Sequence, residues 1–243
     1  MTSVCVVMPA YNEADGIASF LDELHGALGD HSSSFIVVND CSKDATGEAV
    51  ESLASTGFPV TLVDNTVNSG HGPSTMNALR AGLASGADMI VATDGDGQFL
   101  GSDVANLVAM MVQENWDVIE GVRTSRTDPA YRKVSTAVTR GLVWSRARTL
   151  PQDANTPLRV YRRDALATLV DLVPARAMTP NLFMSMLTRR RGLAVAEVAV
   201  RSIPRRGAEA IGSTWGRGSL LPSKRFVTFC AAATREWFTT PVR

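Results

Sequence analysis

The stretch MIVATDGDGQF, residues 89–99, sets the apolar run Met89 to Ala92 and Thr93 against an abrupt acidic end, Asp94-Gly95-Asp96-Gly97-Gln98. A short apolar run bounded by turn residues reads as a buried strand rather than a helix. Two carboxylates on alternate residues of an extended segment point to opposite faces. Glycines beside them let the backbone bend, so that both sets of oxygens can converge on one hard cation. Without a cation the two anions repel each other and lose hydration at the mouth of an apolar strand. A surface turn, rich in Asp and Gly for conformational reasons alone, is the plain alternative. A helix-loop-helix calcium site is a poor rival, since Phe99 and Ala105 stand where its loop requires Gly and Glu.

Working outward, VCVVM (4–8), FIVV (35–38), VTLVD (60–64) and DVIEGV (117–122) are similar short, β-branched runs. Helical periods lie between them. Ile17, Phe20, Leu21, Leu24 and Leu28 share a face, as do Ala49, Val50 and Leu53, then Met76, Leu79 and Leu83, then Val104, Leu107, Val108 and Met111. The alternation predicts an α/β fold with a mostly parallel central sheet and helices on both faces. Ligands bind such sheets beyond the carboxyl ends of the strands. There the chain places PAYNE, NDCSKD, DNTVNSGHG and DGDGQ in turn. After residue 123 the pattern loosens. Residues 131–149 and 179–191 read as helices, LRVYRR and LAVAEVAV as strands, and Pro222 to Phe238 as a final helix.

The 243 residues, 45% hydrophobic, suffice for one domain with a full core. Formal net charge is zero, yet residues 1–120 hold two Lys/Arg against 17 Asp/Glu, and residues 121–243 hold 22 against 7. An acidic half suited to a cation therefore faces a basic half suited to phosphates, although much of this charge is ordinary solvated surface. Three cysteines with no CxxC pair support neither a disulfide framework nor a zinc site. The cysteines favour a reducing, cytoplasmic setting, and no run approaches the roughly 18 apolar residues of a membrane span, so a soluble protein, or one peripheral on the cytoplasmic membrane face, is expected. Nucleic acid is not expected as a partner.

The ordered set VVMPAYNEADGI, FIVVNDCSKDAT, NSGHGPSTMNALRAG and DGDGQ resembles the nucleotide-sugar-binding half of family 2 glycosyltransferases with the GT-A, Rossmann-like fold. The likeness is nearest to the dolichol-phosphate mannose synthases and related polyprenyl-phosphate sugar transferases. It runs over roughly residues 4 to 206, through GVRTSR and DANTPLRVYRRDAL. It implies a single glycosyltransferase domain over 1–243, with a donor half (1–122), an acceptor half (123–221) and a C-terminal helix and tail (222–243).

The same resemblance implies that Pro9, Ala10, Tyr11 and Glu13 line the base and ribose pocket, with Tyr11 stacking and Glu13 accepting from sugar hydroxyls. Asp40 would accept from a base N–H. Asn39 and Cys41 replace a common Asp and Gly, so uracil and guanine both stay open, and the donor is a UDP- or GDP-sugar. Asn68, Gly70 and Gly72 would approach the sugar phosphates, with Gly95 in the strand-end loop. Asp94, Asp96 and Gln98 would hold Mg²⁺ or Mn²⁺ together with the diphosphate, Asp96 most closely, easing departure of the nucleoside diphosphate.

The resemblance also implies inversion by direct displacement. A hydroxyl acceptor needs a general base, for which Asp153 is the available carboxylate. A lipid phosphate is already anionic and needs cations to position it, for which Arg123, Arg126, Arg132, Ser135 and Arg159 are candidates. TPL before Arg159 replaces the family's SGF. The segment LLPSKRFVTFCAAATREWF mixes Lys224, Arg225 and Arg235 with Phe226, Phe229, Trp237 and Phe238, which suits either a membrane surface or core packing. A separate anchoring partner is the other route to a membrane acceptor. A nucleotidyl or phosphoryl transferase and a non-catalytic nucleotide-sugar-binding protein are the rival classes, and no Walker lysine motif supports the former.

Overall fold

The computed structural model describes residues 2–29, 31–124, 130–206 and 224–241, with the side chains of all but 130–135 and 224–226. Strands β1 (Ser3–Ala10), β2 (Ser32–Asn39), β3 (Val60–Asp64) and β4 (Met89–Ala92) alternate with helices α1 (Ile17–Leu28), α2 (Thr46–Ser55) and α3 (His71–Ala84). They are followed by α4 (Gly101–Gln113), β5 (Val118–Thr124), α5 (Ala130–Ala147), β6 (Arg159–Arg162) and α6 (Arg163–Leu169). A single 3-10 turn precedes α7 (Pro180–Arg190), β7 (Val195–Arg201) and α8 (Lys224–Thr239).

The apolar runs become strands because the sheet is covered on both faces. In β1, Val4, Val6 and Met8 join a core with α1 and α4, while Cys5 and Val7 join another with α3, α6 and α7. Both sides of a strand must then be apolar, which is why no polar alternation marks these segments. Each such side chain taken from water contributes about 1.5–3 kcal/mol.

The sheet order is β3-β2-β1-β4-β6-β5-β7. Strands β1 to β4 are mutually parallel, and β5 pairs parallel with β7. Between these two groups β6 runs antiparallel to both neighbours. The sequence reading of a continuing parallel series therefore needs one correction, because β5 does not follow β4 in space. Its consequence is functional. Since β6 runs backwards, its first residue Arg159 stands opposite Ala92, the end of β4, and opposite Glu120 of β5. The loop before β6, which carries Asp153, thus arrives at the same sheet edge as the carboxyl ends of β1 to β4.

Helix α6 and its 3-10 continuation are absent from the sequence reading. The remaining elements fall within a few residues of expectation.

Candidate active site

The site begins where β1 stops. The Pro9 carbonyl accepts the Gly95 N–H at 3.1 Å, and the Ala10 carbonyl accepts the Asp40 N–H at 2.9 Å. One strand end thus positions both acidic loops. Gly95 lies so close to Pro9 and Ala10 that a Cβ there would crowd both. Tyr11 projects its ring, 40% exposed, beside this junction.

Asp96 is the least hydrated member of the acidic pair. Burial, then the neighbouring Asp94 charge, pushes its carboxyl up to about 7, although the Gln98 N–H donates to it at 3.1 Å. Glu13 behaves alike: burial raises it to about 7 against the pull of Arg205, with Asp96 and Asp94 adding to the rise. Glu13, Asp94 and Asp96 thus feel one another's charge, which the described residues leave under-compensated. His71 Nε2 stands 3.6 Å from Asp94 Oδ1 at the first turn of α3.

A divalent cation fits this set. Among the described residues no group of three or more His, Cys, Asp or Glu side chains surrounds a common point. A cation held by Asp94 and Asp96 would take its other positions from phosphate oxygens and water, the usual mode for Mg²⁺. Gln98, expected as a third ligand, is engaged otherwise. Its side-chain nitrogen donates to the Ile203 carbonyl at 3.3 Å, and its backbone orients Asp96.

Asp40 is buried and tied to the loop before α3. Its carboxylate accepts from Asn65 Nδ2, from Ser69 N–H and from Gly70 N–H at 2.8–2.9 Å, while its carbonyl accepts from Asn68 Nδ2. Asp40 and Asn68, expected to face the nucleotide, are thus braces of the loop in this structure. Gly70 has φ 86°, a left-handed conformation open to glycine. Gly72 has a different reason from the phosphate approach expected of it: a Cβ would collide with the carbonyls of Ala177 and Met178.

Two residues that the sequence reading missed lie against the acidic loop after β4. The segment Ser202 to Arg206 crosses the Asp94–Gln98 loop as a strap. Ile203 N–H donates to Gln98 O at 3.0 Å, and Arg206 N–H to Asp96 O at 3.1 Å. Arg206 also pairs with Glu23 and lies over the Phe20 ring at 5.2 Å. Arg205 reaches Glu13 at 2.7 Å and Asn12 O at 2.8 Å. Gly16 and Gly97 leave the room: a Cβ on either would strike Arg206, and Gly97 has φ 66°.

Across β6, Arg123 at the end of β5 grips Asp153 with two bonds, Nε to Oδ2 at 2.7 Å and Nη2 to Oδ1 at 2.9 Å. Arg159 corrects the sequence reading. It is fully buried and ion-paired at 2.8 Å with Glu120, so it does not face an acceptor. Burial opposes its charge most strongly, but Glu120, Tyr161 and Asp153 together outweigh burial and raise its pKa. Glu120 inside the otherwise apolar VIEGV was the available signal, since such a charge demands a partner. Arg132 and Ser135 belong to α5, but their side chains, and the whole of Arg126, lie outside the described residues.

The model for glycosyl transferase family 2 matches residues 5–169. The chain belongs to that family. This glycosyltransferase is 25% identical over 216 residues to the undecaprenyl-phosphate mannosyltransferase of Micrococcus luteus, covering 85% of this chain and 86% of that protein. It is 22% identical over 217 residues to the UDP-N-acetylglucosamine–dolichyl-phosphate N-acetylglucosaminyltransferase of Methanococcus voltae, covering 82% and 85%. Among solved structures it resembles glucosyl-3-phosphoglycerate synthase from Mycobacterium tuberculosis in complex with Mn²⁺, UDP and glucosyl-3-phosphoglycerate. The TM-score is 0.61 at 20% identity, over 86% of this chain and 73% of that one. The glycosyltransferase has the GT-A fold, and its antiparallel β6 separates β1 to β4 from β5 and β7.

Proposed function

We propose that this enzyme moves a sugar from a UDP- or GDP-sugar to a polyprenyl phosphate, inverting the anomeric carbon by direct displacement. Asp94 and Asp96 would hold Mg²⁺ or Mn²⁺ with the donor diphosphate, and Arg123 would meet the acceptor phosphate. Bound there, the cation supplies Lewis-acid stabilisation of the departing nucleoside diphosphate. Glu13 and Tyr11 would take the nucleoside, with Arg205 setting the Glu13 carboxylate.

One observation carries the choice of acceptor: both oxygens of Asp153 receive the Arg123 fork. A bidentate guanidinium stabilises the ionised carboxylate and occupies the oxygens that a general base would turn toward a hydroxyl. A phosphate acceptor needs no such base. The two curated relatives named above support the reading, since polyprenyl phosphates stand in both their names.

The acceptor would lie in a membrane. No helix among the described residues is long and apolar enough to cross one. Contact would therefore be peripheral, on the cytoplasmic face, or mediated by a separate anchor. Phe238 is 64% exposed on α8, whereas Trp237 of the same helix is buried against Phe183 and under Arg146. Of the aromatic tail residues, Phe238 suits a lipid surface and Trp237 is core.

The test is incubation with Mn²⁺, labelled UDP- and GDP-sugars, and either undecaprenyl phosphate in detergent or a panel of soluble hydroxyl acceptors. Label in the lipid fraction with release of nucleoside diphosphate is the expected result. Transfer to hydroxyls alone, abolished by Asp153→Asn, would assign Asp153 as base instead. Release of inorganic phosphate or pyrophosphate would indicate phosphoryl or nucleotidyl transfer, and binding without turnover a sensor.

A further inference from the structure

We infer that Arg159, held by Glu120, is a positioning residue for the acceptor: it fixes the loop 153–156 and through that loop aims the Arg123 guanidinium. The inference rests on the acceptor-side reading above and adds a residue that touches no substrate.

The loop is clamped between two arginines in alternation. From outside, Arg123 binds the Asp153 carboxylate and, through Nη2, the Asn155 carbonyl at 3.2 Å. From inside, Arg159 donates from Nη2 to the Ala154 carbonyl at 3.0 Å and from Nε to the Thr156 carbonyl at 3.2 Å. The same Nη2 also reaches the Asn181 carbonyl at 3.0 Å, which ties the clamp to α7. Successive groups of one short loop thus face opposite guanidinium planes, so a shift of Arg159 moves the atoms that orient Arg123.

Glu120 holds Arg159 in turn. It lies between β6 and β7, directly opposite Arg159 on one side and Glu197 on the other. Arg189 bridges the two acids, 2.8 Å from Glu120 and 3.2 Å from Glu197, and Glu197 accepts the Gln152 N–H at 2.6 Å. Two carboxylates and two guanidiniums make this network formally neutral, and its outputs are Gln152, Ala154 and Thr156, all beside Asp153. Apolar side chains of similar volume often hold a fold as well as a buried ion network does. What they cannot supply is directed hydrogen bonds to chosen carbonyls, which is what a positioning role requires.

The experiment is a double-mutant cycle with Arg159→Lys and Arg123→Gln, read as kcat/KM for undecaprenyl phosphate. Affinity for the donor's nucleoside diphosphate with Mn²⁺ is measured in parallel. Arg159→Lys keeps a cation but loses the fork, and is expected to lower kcat/KM on the order of 100-fold, mainly through acceptor KM, by misplacing Arg123. Diphosphate affinity should stay within about twofold. In the Arg123→Gln background the further loss should shrink to about threefold or less, because the two act in series. Losses that multiply, a parallel fall in diphosphate affinity, or an Arg159→Lys enzyme equal to wild type would each overturn the inference.

Should Arg159→Lys fail to fold, Glu197→Gln at the rim tests the same chain, with a loss of roughly three- to tenfold that also vanishes beside Arg123→Gln. Persistence of that loss would be equally fatal. A wild-type enzyme that ignores lipid phosphate would defeat the acceptor reading by itself. The cycle is then read with the hydroxyl acceptor used, or with donor hydrolysis, and judged by the same additivity.

Discussion

Along the carboxyl edge of the sheet, Asp94 and Asp96 lie beyond β4 with no arginine at ion-pairing distance among the described residues, and Asp96 stands raised to about 7. Across β6, Glu120, Asp153 and Glu197 are each held by a guanidinium at 2.7–3.2 Å. Among the described residues, the arginines near the acidic loop pair with Glu13 and Glu23 and not with Asp94 or Asp96. Negative charge is left open where a cation and a diphosphate are proposed to arrive. It is closed where geometry matters more than charge. Arg205 is the intermediate case, reaching Glu13 from the strap without bringing its carboxyl back to the ordinary range.

Breaking the closed side should cost the most stability. Glu120→Ala strands Arg159 in the core, and the unpaired charge should lower unfolding free energy by about 3–5 kcal/mol, measured by urea titration. A loss below about 1 kcal/mol would mean that water or another group replaces the partner.

Asp96→Asn attacks the open side and should do the reverse. Turnover should fall on the order of 1000-fold, as when a principal electrostatic group is removed. Thermal stability of the ligand-free protein at pH 8 should hold or rise by a few degrees, since an uncompensated anion has been deleted. Joint loss of stability and activity would show Asp96 to be structural.

The contrast is sharpened by pH. Asp96 and Glu13 have folded-state values raised to about 7 from ordinary values of 3.8 and 4.5. Their contribution to stability is complete below the unfolded values and is lost as pH rises through about 7. Melting temperature of the ligand-free protein should therefore fall between pH 5 and 8. Manganese-assisted diphosphate affinity should climb over the same window, by up to about tenfold per unit below 7 for each proton displaced. A flat profile in both would remove the open-charge account.

The smallest effect is expected at Asp153. Its Asn variant keeps one acceptor for Arg123, and transfer to lipid phosphate should drop less than about tenfold. A loss on the order of 100-fold or more would point to base catalysis.

The strands β1 to β4 and the acidic loop beyond them were legible because parallel buried strands write themselves as apolar runs and because DGDGQ is unusual after one. The acceptor side was not. Nothing in the periodicity of LRVYRR says that it inserts backwards between β4 and β5, since register depends on the Glu120–Arg159 pair and on neighbours far apart in sequence. Arg159 read as a ligand for phosphate because its planar fork matches one, and nothing local shows that the fork is spent on Glu120 and backbone carbonyls. The Arg205–Arg206 strap meets the acidic loop more than 100 residues later, a tertiary contact with no local signature. Its one trace was the pair Gly16 and Gly97, whose missing side chains make room for Arg206.

The proposed cation role is tested most directly by titrating UDP and GDP calorimetrically into the wild-type enzyme at pH 8, with Mn²⁺ and with EDTA. The account predicts that one of the two nucleotides binds at least about tenfold more tightly with the metal, an increment of about 1.4 kcal/mol, and that Asp96→Asn abolishes the difference. Equal affinity with and without Mn²⁺ for both nucleotides would contradict it.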